Sequence, residues 1–134
     1  MTTGYSGTPL VRKLGVKAGH RVLLDGAPGG FELEGLPDGV SVDHRAGPGT
    51  YDVVLAFTRD RATLDRDLPG HHDRIERDGA VWVAWPKRAS KVPTDLTEDC
   101  VREVALPRGL VDVKVAAIDA VWSGLKLVIR KQNR

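Results

Sequence analysis

Apolar residues recur along this 134-residue chain in short runs, separated by polar stretches. The runs RVLL (21–24), GVSVD (39–43), DVVLAF (52–57) and AVWVAW (80–85) predict strands. DVVLAF and AVWVAW are apolar on both faces, which is typical of central parallel strands. Two β-rich runs, LVDVKVAAID and VWSGLKLVIR, follow each other near the end, with Ser123 and Gly124 near their join. They predict a C-terminal antiparallel pair.

Helical patterns lie between these runs. In TPLVRKLGV, Thr8 is a candidate N-cap and Pro9 suits the first helical position. FELEGL (31–36) is compatible with one or two helical turns before Pro37. The stretch VPTDLTEDCVREVAL predicts the clearest helix, because Asp95 and Glu98 have the spacing of a capping box. Its apolar stripe consists of Leu96, Cys100, Val101 and Val104.

A further helix is predicted within residues 59–79, where apolar positions recur among charges. Pro69 and Gly70 predict a break in it, since proline interrupts helical hydrogen bonding. His71 and His72 would then lie in a solvated loop, because no Cys/His set with zinc spacing accompanies them. No metal site is expected.

Alternation of strands and helices predicts an α/β sandwich with a mostly parallel sheet and a C-terminal antiparallel hairpin. The length is that of one domain over residues 1–134, with residues 1–8 as an N-terminal arm and 131–134 as a tail. No run is long enough to span a membrane, the first ten residues lack signal-peptide order, and Cys100 is the single cysteine. A cytoplasmic location is expected.

The charged residues nearly balance, since the chain has 20 Lys and Arg and 18 Asp and Glu. So small an excess does not indicate a surface built for nucleic acid. PKRASK, with Lys87, Arg88 and Lys91, is either a solvated loop or an anion pocket. A nucleic-acid partner is therefore not expected.

The first predicted strand runs into DGAPGG, which is where a cofactor lies in many α/β folds. Asp25, Gly26, Gly29 and Gly30 would let a ligand approach the backbone, and Asp43 follows the next strand at a spacing suited to ribose hydroxyls. The alternative is that DGAPGG is only a tight strand exit. Few residues separate Gly26 from the strand that follows Tyr51, so part of a usual cofactor wall is missing.

The order of elements resembles the S-adenosylmethionine-dependent methyltransferase fold, in which the last strand inserts antiparallel between its two predecessors. The resemblance implies a three-layer Rossmann-like sandwich, reduced here in its cofactor half. APGG is similar to the same motif in ribose-methylating RNA enzymes, which use a Lys-Asp-Lys-Glu set. Lys13 and Lys87 lie near two of those positions, but Phe57 and Thr58 stand where the Asp is expected, and GLKLV has no Glu. That reaction is therefore not predicted.

GYSGTPLVRKLGV, WPKRAS, PTDLTED and VWSGLKLV together resemble an uncharacterised, mainly actinobacterial family catalogued as a domain of unknown function. This resemblance spans essentially the whole chain. It names no reaction.

A second candidate site lies where strands end on the carboxyl edge of the predicted sheet. Trp85, Lys87, Trp122 and Ser123 would meet there and bind a ligand or protein partner. The alternative is that both tryptophans are core aromatics covered by the N-terminal arm.

Three functions follow from these patterns. The first is a non-catalytic module that binds a small ligand or a protein partner and needs no cofactor. The alternative is an S-adenosylmethionine-dependent methyltransferase whose site is shallow or is completed by a second subunit. The third is a structural subunit of a homodimer, formed through the poorly covered GVSVD edge.

Overall fold

The computed structural model describes residues 8–134, which form a six-stranded sheet with helices packed against it. The strands are β1 (Arg21–Asp25), β2 (Ser41–Asp43), β3 (Tyr51–Phe57), β4 (Ile75–Pro86), β5 (Leu110–Ala117) and β6 (Trp122–Ile129). The helices are α1 (Leu10–Leu14), α2 (Arg61–Asp73) and α3 (Glu98–Ala105). Short 3-10 turns occupy Arg88–Ser90, Leu106–Arg108 and Lys131–Asn133. Residues 1–7, most of the predicted N-terminal arm, lie outside the described range.

The strand order is β2-β1-β3-β4-β6-β5. Strands β2, β1, β3 and β4 are parallel, and β6 lies antiparallel to both of its neighbours, β4 and β5. The last strand therefore inserts between its two predecessors, and the predicted fold class is confirmed. Because β5 runs in the direction of β4, its carboxyl end reaches the same edge of the sheet as those of β1, β3 and β4.

The two faces of the sheet are covered differently. Helices α2 and α3 bury one face, here called the α2/α3 face, over residues such as Leu23, Val54 and Val83. The other face, here called the α1 face, is covered by the five-residue α1 and by irregular chain that follows β1. The indole Nε1 of Trp82 donates to the carbonyl of Leu14 at 3.2 Å and holds α1 on this face. The predicted three layers are present, one of them thin.

The predicted helical turns at FELEGL do not form. Phe31 and Leu33 pack toward the sheet while Glu32 and Glu34 are exposed, so burial alternates with a period of two. That period suits extended chain and not a helix. The connection from β1 to β3 therefore holds no helix in the part of the chain described here, and its edge strand β2 has only three residues. This is the reduced half of the fold.

Helix α2 continues through Pro69 to Asp73, so the predicted break there is wrong. Leu64, Leu68 and His71 share one buried side of this helix at helical spacing, and their packing outweighs the hydrogen bond that Pro69 cannot make. His71 is only 3% exposed, in place of the solvated loop position expected for it.

Helix α3 begins two residues later than the capping-box prediction. Thr97 is its N-cap, and the Thr97 hydroxyl accepts from the backbone N–H of Cys100 at 3.1 Å. Asp95 lies outside the helix and accepts from the backbone N–H of Arg61 at 2.8 Å. Thr97, which lies between Asp95 and Glu98, is therefore the N-cap, because its hydroxyl is two residues closer than Asp95 to the first free N–H groups of the helix.

Two smaller boundaries also differ from the expectation. Pro9 is the N-cap of α1 and not its first helical residue, so Thr8 is not the cap. The β5–β6 join is residues 118–121, and Ser123 and Gly124 lie within β6. No helix within residues 8–134 has the length and apolar character needed to cross a bilayer.

Candidate functional site

A cavity of about 640 Å³ opens at the carboxyl edge of the sheet, on the α1 face. The turn after β1, the start of α1 and the β5–β6 join line this space, which is here called the cleft. Ligands of open α/β sheets bind at this edge. The volume falls in the range of pockets that take a drug-sized ligand.

The three glycines of the β1 exit serve different purposes. Gly26 has a φ of +70°, and a Cβ built there would lie 2.9 Å from the carbonyl oxygen of Phe57. Only glycine therefore allows β1 to leave the sheet this close to the end of β3. Gly29 and Gly30 line the cleft, and within residues 8–134 no heavy atom beyond their own chain neighbours lies within 4 Å of a Cβ built at either. Their backbone faces open space that a ligand could fill.

Asp25 points to the α2/α3 face, away from the cleft. Its Oδ2 lies 3.3 Å from Nε2 of the buried His71, whose Nδ1 lies 2.8 Å from Nη1 of Arg74. A guanidinium can only donate, so Nδ1 accepts and Nε2–H donates to the carboxylate. The hydrogen bond from His71 holds the pKa of Asp25 below its usual value. This carboxylate anchors helix α2 to β1.

Asp43 is likewise held by its own neighbours. It accepts from the hydroxyl of Tyr51 at 2.6 Å and from Nη2 of Arg21 at 3.0 Å. These bonds, that of Tyr51 first, lower the pKa of Asp43. The Arg21 guanidinium also lies 4.1 Å from the centre of the Tyr51 ring. Asp43 does not line the cleft with Gly29 and Gly30.

Other acidic residues do line the cleft, and sequence reasoning missed them. Glu32 and Glu34 follow the glycines and are exposed along its wall. Asp119 lies across from them, where its Oδ1 accepts from the backbone N–H groups of Val121 and Trp122 at 2.8 and 2.9 Å. The alternation in FELE (31–34) could have placed both glutamates on one exposed side of an extended segment.

The second predicted set does meet at one edge of the sheet. Trp85 pairs with Ser123 across β4 and β6, Pro86 pairs with Trp122, and the backbone N–H of Lys87 donates to Val121 at 2.7 Å. The two tryptophans nonetheless belong to opposite faces, because Trp85 packs in the α2/α3 core and Trp122 in the α1 core.

Both tryptophans are buried, at 7% exposure for Trp85 and 4% for Trp122. The ring of Trp122 lies edge-on to Phe57 at 5.1 Å, and Phe57 lies edge-on to Phe31 at 4.9 Å. Phe31 lines the cleft. The aromatic core of the α1 face thus extends to the cleft wall, while Trp85 has no part in it.

Cations lie along the rim of this edge. The Arg59 guanidinium lies 5.3 Å from the centre of the Trp122 ring, and Lys87 is half-buried just beyond β4. Within the described chain, neither side chain has a carboxylate within 4.0 Å. The acidic cleft wall and the basic rim together suit a ligand that carries charges of both signs.

No protein-family model matches the chain, and no curated protein matches it. Solved structures do resemble it. A SAM-dependent methyltransferase from Aquifex aeolicus superposes with a TM-score of 0.62 at 14% identity, over 90% of this chain and 87% of that one. The CcbJ methyltransferase from Streptomyces caelestis gives 0.58 at 9% identity, over 90% and 88%.

The magnesium protoporphyrin IX methyltransferase from Synechocystis, solved with bound SAM, gives a TM-score of 0.56 at 8% identity, over 91% of this chain and 74% of that one. At such low identity these likenesses show the fold alone. The protein has a methyltransferase-like Rossmann fold, with a mostly parallel sheet and a C-terminal antiparallel hairpin.

Proposed function

We propose that the protein binds S-adenosylmethionine in the cleft and acts as a small S-adenosylmethionine-dependent methyltransferase. The observation that carries this proposal is the cavity of about 640 Å³ beside the exposed backbone of Gly29 and Gly30. It lies at the edge where α/β folds bind ligands, in a fold whose solved neighbours include SAM-dependent enzymes. We therefore prefer a methyltransferase function to the non-catalytic binding module that the sequence analysis put first.

The cleft residues fit the chemistry of that cofactor. S-adenosylmethionine carries a sulfonium and an ammonium, both of which an acidic wall favours. Glu32 and Glu34 supply that wall, and their carboxylates can also accept from ribose hydroxyls, the role that the sequence suggested for Asp43. Phe31 offers an apolar surface, and Gly29 and Gly30 allow close approach. When bound, the cofactor would supply an electrophilic methyl group.

Calorimetric titration with S-adenosylhomocysteine tests this assignment. Gly29→Leu places a side chain in open space in the cleft, so we expect the fold to persist and the affinity to fall by more than about tenfold, or 1.4 kcal/mol. Ala62→Leu adds similar bulk on an exposed position of α2 and should leave the affinity unchanged. Failure of the wild-type protein to bind, or equal affinity in both variants, would overturn the proposal.

Charge is tested by a second pair of variants. Glu32→Gln removes one acidic group from the cleft wall, whereas Asp73→Asn removes one from the exposed end of α2. We expect only the first to weaken binding of S-adenosylhomocysteine, whose amino group is positive. Equal effects would mean that overall charge, and not the cleft, governs affinity.

A binding role without methyl transfer is the second candidate function. The residue after β3 is Thr58, which is buried and whose hydroxyl lies 3.4 Å from the carbonyl of Asp60. In the described chain, no carboxylate follows β3 on the cleft side, so the Lys-Asp-Lys-Glu chemistry of the ribose-methylating enzymes is not available. A protein that binds the cofactor analogue but methylates no acceptor would favour this candidate.

Four further expectations complete the proposal. We expect the chain to belong to the uncharacterised actinobacterial family that its motifs resemble. We also expect its location to be cytoplasmic. Lys87 and Ser123, which lie two residue rows apart at the rim, are proposed to contact a ligand or protein partner. The homodimer expected through the β2 edge stays a prediction, and β2 offers only three residues for pairing.

A further inference from the structure

Three lysines meet on the α1 face, away from the cleft. Lys114 of β5 and Lys126 of β6 lie directly opposite each other, and Lys126 lies opposite Trp82 of β4, so the three residues form one row across the sheet. The Nζ of Lys114 is 6.0 Å from the centre of the Trp82 ring. Lys17 lies beside this row and lines a small cavity of about 210 Å³ together with Lys126.

Among the described residues, these ammonium groups have no ion-pair partner. In residues 8–134, no carboxylate lies within 4.0 Å of Lys17, Lys114 or Lys126, although ion pairs of that length hold several partly exposed arginine side chains. Like charges placed directly opposite each other on neighbouring strands destabilise a sheet. Burial and the charges of the other two lysines lower the pKa of Lys126, which agrees with an uncompensated cluster.

The remaining charged groups around the small cavity are His20, Asp52 and Asp78. Asp52 is already engaged, because its Oδ2 accepts from the backbone N–H of Arg21 at 2.8 Å and its Oδ1 lies 4.0 Å from Nε2 of His20. Asp78 is exposed and lies more than 4.0 Å from the ammonium groups of Lys17, Lys114 and Lys126. Two lysines and two aspartates thus line the small cavity, and Lys114 adds a third ammonium beside Lys126.

We propose that Lys17, Lys114 and Lys126 form a binding site for a phosphate group. Lysine serves as a point charge for phosphate, and three ammonium groups match a dianion. The small cavity is below the size of pockets that hold drug-sized ligands, so it admits one such group and not a whole nucleotide. This volume favours a phosphate carried by a small molecule over a nucleic-acid backbone.

The site is separate from the cleft. The small cavity is bordered by Gly15 after α1, by His20 before β1 and by Asp52 at the start of β3. These positions lie at the amino ends of the parallel strands, whereas the cleft lies at their carboxyl ends. A phosphate bound here would leave the cleft accessible, so this proposal and the proposed methyltransferase function can fail independently.

Titration with inorganic phosphate, followed by NMR of the lysine side-chain ¹³Cε signals, tests the proposal. We expect saturable shifts at Lys126 and a rise in the pKa of its ammonium, since a bound dianion favours the charged form. Sodium chloride at matched ionic strength should produce neither change. Lys126→Gln should weaken phosphate binding by more than about tenfold, and Lys131→Gln, an exposed lysine of the last 3-10 turn, should not.

We expect the Lys126→Gln variant to fold, because the change removes the repulsion between Lys126 and Lys114. Equal phosphate affinity in Lys126→Gln and wild type, or equal shifts with chloride, would overturn the proposal. A short single-stranded oligonucleotide distinguishes the source of the phosphate. Tighter binding of the oligonucleotide than of phosphate, lost in Lys126→Gln and strongly salt-dependent, would assign the site to a nucleic-acid backbone. Binding no tighter than that of phosphate would assign it to a small molecule.

Discussion

Replacing glycines of the β1 exit by alanine, one at a time, separates two requirements that the structure places on this turn. Gly26 has a φ of +70° and lies against the end of β3, where an added Cβ would be 2.9 Å from the Phe57 carbonyl oxygen. Gly30 has a φ of +81° but open space around its Cβ position. Gly29 has open space and a φ outside the left-handed region.

The expected losses in the free energy of unfolding follow from those geometries. Alanine at Gly30 meets only the left-handed conformation, which costs about 1–2 kcal/mol. At Gly26 the same cost adds to overpacking against a backbone atom, worth about 1–3 kcal/mol, because β1 or β3 must move. Gly29→Ala should change stability by no more than about 0.5 kcal/mol. The predicted order of stability is Gly29→Ala, then Gly30→Ala, then Gly26→Ala.

Urea denaturation followed by tryptophan fluorescence measures these differences, since Trp82, Trp85 and Trp122 are all buried. The midpoints should fall in the stated order with unchanged m-values, which would indicate that the unfolded state is not the cause. A Gly26→Ala variant no less stable than Gly30→Ala would refute the close approach of β1 to β3. Binding by Gly30→Ala is a separate measurement, because Gly30 lines the cleft.

Further predictions concern the polar groups. Asp25→Asn should lower the free energy of unfolding at neutral pH and make that free energy fall less in acid, because His71 depresses the pKa of the Asp25 carboxylate in the folded state. Such a carboxylate stabilises the fold above about pH 4 and loses this effect as the pH falls below that value. Acid melts of both proteins test this, and parallel curves would contradict it. Lys114→Glu should raise stability by about 0.5 kcal/mol by replacing the repulsion with Lys126 by attraction, and a lower melting temperature would speak against the lysine row. Thr97→Ala should lower stability by about 1 kcal/mol through loss of the α3 cap; no loss in chemical denaturation would return the cap to another residue.

The sheet could be predicted because its evidence is local. Runs such as DVVLAF and AVWVAW have the length and apolar character of central strands, and the order of elements predicted where β6 inserts. The helix through Pro69 could not be predicted, because its continuation depends on Leu64, Leu68 and His71 meeting a sheet that is distant in sequence.

Of the residues predicted at the β1 exit, only some line the cleft. Gly29 and Gly30 do line the cleft, since a strand exit fixes their position directly. The carboxylates of Asp25 and Asp43 instead bond to His71 and Tyr51, partners that only tertiary folding brings near. The sequence also does not show which face of the sheet each tryptophan occupies, because that depends on how β4 pairs with β6. Trp85 and Trp122 therefore look like neighbours in the sequence, although they point to opposite faces.

Titration of S-adenosylhomocysteine into the ¹⁵N-labelled protein, followed by backbone amide NMR, tests the proposed cofactor cleft most directly. We expect saturable shifts that are largest at Gly29, Gly30, Phe31 and Asp119, the positions that line the cleft from both sides. Binding should also stabilise the fold by about 2.7 kcal/mol at 100 times the dissociation constant. Absence of saturable shifts, or shifts confined to the amino ends of the strands, would contradict the assignment of the cleft to this cofactor.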